Sequence, residues 1–261
     1  MVVLFWAATA LYSIAAALHL GFLVGLPDKV LPWARRTIVL GFVVHFLELG
    51  ARGIAGLHPV SSVREVLGFL AWVIVGAFLL AERVRKRLDA VGAFVAPAAL
   101  VLLLAARLAP AAETPTTAGL GVLGRVHILL ATVGVSIFAL ATASAVLYIL
   151  EERQLKKKKF GPIVKHGTAL ETLDGLAHRC VQVGFPIFTV AMVAGALWSS
   201  RIPDGLRPEY IIAVVAWIAF GAVLVARVTA GWRGRRAALM TIIGFSSALV
   251  VLLAYLVRSV A

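Results

Sequence analysis

Eight long runs of apolar residues, separated by short clusters of charge, Gly and Pro, make up most of this chain. They fall at about 3–26, 37–56, 64–82, 90–109, 126–150, 178–199, 209–229 and 237–258. Each is close to the ~20 residues that a helix needs to cross a hydrocarbon core about 30 Å thick. Within lipid, only a helix satisfies its own backbone one segment at a time. The pattern therefore predicts an all-α fold: a polytopic membrane bundle of eight transmembrane helices, with residues 1–261 forming one integral membrane domain. The opening "MVVLFWAATALYSIAAALHLGFLVGL" has no basic start and is long enough to span, so it is expected to stay as the first helix.

Composition agrees. Of 261 residues, 62% are hydrophobic and 14% charged, more apolar than a water-soluble domain of this size. Lys and Arg outnumber Asp and Glu by 25 to 12, a net charge of +13. Such a balance raises nucleic acid as a partner, but the basic residues sit between apolar runs and form no basic domain, so nucleic acid is excluded in favour of a topology signal. The loops after runs 1, 3, 5 and 7 hold most of them, from Lys29, Arg35 and Arg36 to Arg233, Arg235 and Arg236. The alternate loops hold Arg64, Arg107, Arg125, Arg201, Arg207 and Arg258, while Arg52 lies inside a run. The positive-inside rule places the first set in the cytoplasm and both termini outside. The longest cytoplasmic loop is then 151–177, whose run Lys156–Lys159 reads as an anchor at an anionic leaflet.

Polar chemistry is sparse. There is one cysteine, Cys180, which rules out an internal disulfide and a cysteine metal cluster. No nucleophile elbow, zincin pair or phosphate loop is present, which argues against a hydrolase, and intramembrane carboxylates are nearly limited to Glu48, which argues against a pump. No internal repeat supports a transporter built from inverted halves.

Attention therefore falls on six histidines. His19 and His45 lie in antiparallel runs 1 and 2, seven and eight residues from the cytoplasmic ends predicted for those runs. They are expected at nearly the same depth, as a candidate intramembrane pair for one ligand; the alternative is a histidine hydrogen-bonded between helices. Glu48 and Arg52 are four apart and predicted to pair on one face, with an Arg52 grip on an anionic propionate or carboxylate as the sharper alternative. His58 and His127 fall at the outer surface, His166 and His178 at the cytoplasmic side. Imidazoles facing a gap can ligate heme iron, copper or zinc; without C-x-x-C-H, covalent heme attachment to this chain is excluded. On the fifth and sixth runs, Thr132 with Ser136 and Ala191 with Gly195 are four apart, which predicts close helix approach in the core. Pro186 is expected to kink the sixth.

One region is more specific. A histidine opens the fifth run, which ends in Tyr-Leu-x-x-Glu-Arg-x-Leu-Lys through Tyr148, Glu152, Arg153, Leu155 and Lys156. "L-E-x-L-D" follows at Leu170, Glu171, Leu173 and Asp174, then Gly184-Phe185-Pro186 and Gly195-Ala196-x-Trp198. Residues 127–199 so resemble the cytochrome c assembly family, meaning CcsA and the smaller HemX-like and YpjD-like membrane proteins. A second segment similar to the family precedes it: Glu65, Leu67, Phe69 and Trp72 at the start of run 3.

The resemblance implies a heme-handling protein of the bacterial cytoplasmic (inner) membrane, assisting cytochrome c biogenesis with a membrane-protein partner. The heme would be b-type and non-covalent. His127 matches the family's external axial ligand to heme iron. Two features depart from the pattern. Of the Trp-rich heme-cradling segment only Trp198 remains, in "WSSRIPDGLRPEY", and no histidine follows His178. The resemblance thus implies a delivery or assembly factor, not an enzyme. The second ligand would be absent or a substitute such as His58. The alternative is an accessory subunit, HemX- or YpjD-like, that stabilises a partner enzyme or ion transporter. A small-anion transporter around Glu48 and Arg52 is a third reading.

Overall fold

The computed structural model describes residues 1–85, 88–109, 121–158, 161–200 and 208–260. Among them there are nine α-helices and no strand: α1 (Val2–Val24), α2 (Leu31–Ile54), α3 (Val63–Val84), α4 (Asp89–Leu108), α5 (Gly121–Lys156), α6 (Pro162–His166), α7 (Leu170–Ser199), α8 (Pro208–Thr229) and α9 (Arg235–Val260). Eight are long and apolar enough to cross a membrane; α6 is a single short turn. The expected loop at 110–120 and most of the segment after Trp198, including Arg201 and Arg207, lie outside the described residues.

Element ends moved most. The α2 helix starts at Leu31, six residues before the apolar run, because Pro32 suits a first helical turn and Arg35 and Arg36 find partners there. Arg35 donates to both oxygens of Asp89 at 2.8 and 2.7 Å, and Arg36 lies 5.2 Å over the Trp33 ring. Residues 151–177, expected as a loop, are mostly helix: α5 runs on to Lys156 and α7 starts at Leu170. At 1.5 Å per residue α5 is about 54 Å long, so its end projects past any bilayer core. Glu151 closes the short connection by accepting the Thr168 N–H at 3.1 Å.

The longest interface joins α5 and α7. Small residues on both sides set its closeness. A Cβ on Gly184 would meet the Phe138 ring at 2.8 Å, and one on Gly134 would meet Phe188 at 3.3 Å. Phe138 in turn stacks on Phe220 of α8 with centroids 3.7 Å apart. Thr132, Ser136 and Ala191 are buried as the spacing predicted. The two hydroxyls bond carbonyls one turn back in their own helix, at 2.7 Å each, so they leave no polar debt in the core. The α7 helix continues through Pro186 as one element.

In a second group, α1 packs against α2 and α4, α3 packs against α4, and the group meets the first chiefly through α3 and α5. The chain alternates direction, so the starts of α1, α3, α5 and the ends of α2, α4, α7 and α9 share one end of the bundle. Leu252 of α9 packs there with Val63, Leu67 and Ala106.

Candidate heme-ligand site at the start of α5

His127 stands in the second turn of α5, half-buried against α7. Its Nδ1 lies 2.7 Å from the Ala191 carbonyl oxygen. A carbonyl only accepts, so Nδ1 carries the proton and donates, and in the neutral ring Nε2 holds the lone pair. This is the arrangement by which ligating histidines are oriented for a metal. The ring fits because residue 195 has no side chain: a Cβ on Gly195 would come within 2.6 Å of Nδ1. One turn on, the Trp198 ring lies 6.3 Å from His127, tilted by 35°.

His127 and Trp198 also line a cavity of about 430 Å³ between α3, α5, α7, α8 and α9. That lies within the size range of small-molecule and cofactor sites, and its wall is mostly apolar, from Val66, Leu67 and Leu70 to Val135, Phe188 and Leu252. Its hydroxyls already have bonds. Thr132 donates to Ile128 O at 2.7 Å, Ser61 to His58 O at 2.8 Å, and Ser62 caps α3 by accepting the Glu65 N–H at 3.3 Å. Among the described lining residues His127 is the one imidazole, and Nε2 the one ring nitrogen with a lone pair. A nitrogen lone pair in an apolar wall suits the iron and the flat apolar body of a heme.

His58 occupies the turn before α3, at the same end, with an exposed side chain; its neighbours Val60, Ser61 and Ser62 line the cavity, and it does not.

The expected His19 and His45 pair is not assembled. His45 Nδ1 lies 3.3 Å from the Tyr12 hydroxyl, whereas His19 Nδ1 donates to Asp89 O at 3.1 Å and its ring sits over Gly92 and edge-on to Phe78. Tyr12 and His19 are seven residues apart on α1, about 10 Å along its axis, so the two histidines lie at different depths. The cause is the early start of α2: His45 is fourteen residues into that helix, not eight. Both rings are fully buried, each with an Nε2 that has no partner among the described residues, and neither lines the large cavity.

Arg52 pairs with Glu48 as its spacing predicted, and also with Glu65 of α3 at 2.7 Å. Sequence reasoning missed Glu65 as a partner, since it belongs to the next helix. Two carboxylates claim the guanidinium, and the space beside them is water-sized, about 10 Å³. This leaves no room for a transported anion, and Arg52 does not line the large cavity. At the opposite end Asp174 ties α7 to α8 and α9: it takes Arg227 through both oxygens, at 3.1 and 2.7 Å, and the Gly234 N–H at 2.9 Å.

With this geometry in place the relatives become informative. A family model described as "Cytochrome C assembly protein" matches residues 60–261, from just before α3 to the end of the chain. The chain belongs to the cytochrome c assembly protein family. Similar curated proteins include the cytochrome c biogenesis protein CcsA of Gloeothece citriformis, 28% identical, covering 76% of this chain and 76% of that one. CcsA of Guillardia theta is 28% identical over 86% of this chain and 79% of its own, and CcsA of Microcystis aeruginosa 29% over 76% of each. The family match takes in every element of the His127 site. It leaves out α1 and α2, which carry His19, His45 and Arg52. With eight apolar helices, this family member is a multi-pass membrane protein.

Proposed function

We propose that this protein handles heme in the bacterial cell membrane for cytochrome c biogenesis, as an assembly factor and not as a complete ligase. Heme is its cargo, held non-covalently as heme b. Membership of the family and the CcsA relatives support the role in cytochrome c assembly. One observation carries the assignment to a site: His127, with Nδ1 bonded to Ala191 O, lines an apolar cavity of about 430 Å³. In this reading His127 Nε2 holds the iron, the walls from α3, α5 and α9 exclude water, and Trp198 covers the ring. The positive-inside distribution of Lys and Arg supports a non-cytoplasmic position for this end, the side on which such cargo would be passed to a partner. Heme is not covalently attached to this chain in this reading, since it has no C-x-x-C-H, and ligase chemistry is not assigned to it, since of the Trp-rich segment only Trp198 remains.

The test is an optical and pyridine-hemochrome measurement on protein purified in detergent from heme-replete membranes. Wild type is expected to hold heme b with a Soret band, and His127→Ala to lose at least nine-tenths of it, on the order of a tenfold or greater loss of affinity. Equal heme in the two proteins would overturn the assignment to His127.

The described cavity wall contains no Lys or Arg to meet heme propionates, and this favours a second reading, a HemX- or YpjD-like accessory subunit. Purification would then yield protein free of heme with a stoichiometric membrane partner, lost on deleting 156–168.

A further inference from the structure

We infer that Gly195 is the positioning residue of the His127 site, its missing side chain exposing the Ala191 carbonyl so that this carbonyl fixes which imidazole nitrogen is free to bind. The inference rests on the heme reading for its consequence, but not for its geometry.

In an α-helix the carbonyl of Ala191 points along the axis to the N–H of residue 195, and the side chain at 195 flanks it. A neighbouring helix can donate to such a carbonyl only where that flank is open. Here it is open at one position. A Cβ on residue 195 would lie 2.6 Å from His127 Nδ1, 2.7 Å from Cε1 and 3.3 Å from Cγ. The closest of these is the donor atom that reaches Ala191 O at 2.7 Å. Real Cβ contacts essentially never fall so short, so with alanine at 195 something must shift, and the atom contacted first is the donor end of the imidazole.

The carbonyl's second lone pair has a definite chemical effect. It can only accept, so it selects the Nδ1–H tautomer and leaves Nε2 basic. Once freed from it, the imidazole can protonate either nitrogen and rotate about its side-chain torsions. The neighbouring small residue does not share this role: Ala191 is fully buried and offers its backbone, not its methyl, to His127. Gly195 is thus needed for ligand geometry, beyond the helix packing that small residues ordinarily serve.

Two measurements separate this from a packing role. The first needs no heme: ¹⁵N spectra of histidine-labelled protein in detergent report the His127 tautomer. Wild type is expected to show protonated Nδ1 and bare Nε2, and Gly195→Ala to lose that signature while Gly184→Ala, also on α7 but set against Phe138 of α5, keeps it. An unchanged His127 signature in Gly195→Ala overturns the inference. The second measures heme. Gly195→Ala is expected to weaken heme binding about tenfold or more, the usual cost of removing a group that orients a metal ligand. In a His127→Gly background supplied with imidazole, the untethered ligand needs no helix to orient it. Gly195→Ala should then cost less than twofold; an equal tenfold loss in both backgrounds would overturn the inference in favour of packing. Heme absent from wild type, with the tautomer still dependent on Gly195, would remove the heme reading and leave the positioning role standing.

Discussion

Two parts of this bundle bury imidazoles, and they do so in different ways. In the α1–α4 half, His19 and His45 are sealed: no solvent reaches either ring, one nitrogen of each is bonded, and neither ring lines the large cavity. In the α5–α9 half, His127 is only half-buried and looks into a large apolar space. Burial measures what a histidine costs, whereas adjoining room measures what it can hold. The sealed pair cross-links helices, His45 to α1 and His19 to the start of α4. His127 has one nitrogen committed to a carbonyl and belongs to a cavity wall, the combination a ligand needs.

The charges repeat the contrast. Arg52 joins Glu48 and Glu65, and Arg35 joins Asp89 and, at 3.2 Å, Glu82. Both clusters lock α2 to its neighbours, and neither lines the large cavity. The α1–α4 half adds these two charge clusters to an apolar core of its own; the α5–α9 half packs Phe138, Phe188 and Phe220 closely against glycines and carries one such cross-link, Asp174 with Arg227.

The comparison can be broken most directly at its largest difference. His127→Ala should remove heme while shifting the midpoint of thermal unfolding in detergent little, within about 1 kcal/mol for one lost hydrogen bond. His45→Phe should do the reverse, keeping heme within twofold; a heme loss in His45→Phe as large as in His127→Ala would end the distinction between the halves.

Next in size is Arg52→Leu. Removing the guanidinium strands two buried carboxylates, a change that costs about 3–5 kcal/mol in comparable buried pairs. A lower yield of folded protein and a lower midpoint are expected, with heme per folded molecule unchanged. The triple variant Glu48→Gln/Glu65→Gln/Arg52→Leu should recover part of the loss, and absence of any recovery would show that the cluster is not a charge cross-link.

His45→Phe itself leaves the Tyr12 hydroxyl without its partner, a penalty of about 1–3 kcal/mol. Adding Tyr12→Phe should relieve most of it in the same unfolding assay. The smallest effect belongs to the projecting end of α5. Lys156→Gln breaks an exposed 2.8 Å pair with Glu152, worth about 0.3–0.5 kcal/mol, and should leave both midpoint and heme unchanged within error.

Much of this protein is legible in its sequence. Eight apolar runs, the membrane setting and the Glu48–Arg52 pair follow from chain-local rules of length, hydropathy and i, i+4 spacing. The motif around His127 pointed to the residue at the cavity. Depth was legible only in part: the early start of α2 displaced His45, because charged residues can join a helix once a partner such as Asp89 waits for them on another. Glu65 beside Arg52, Ala191 O on His127 and Gly195 beneath the ring were visible only as unconnected letters. The sequence determined which segments enter the membrane, since each segment must satisfy its own backbone there. The tertiary structure alone decided which histidine faces open space, since a cavity belongs to no single helix but to the five that fail to fill it.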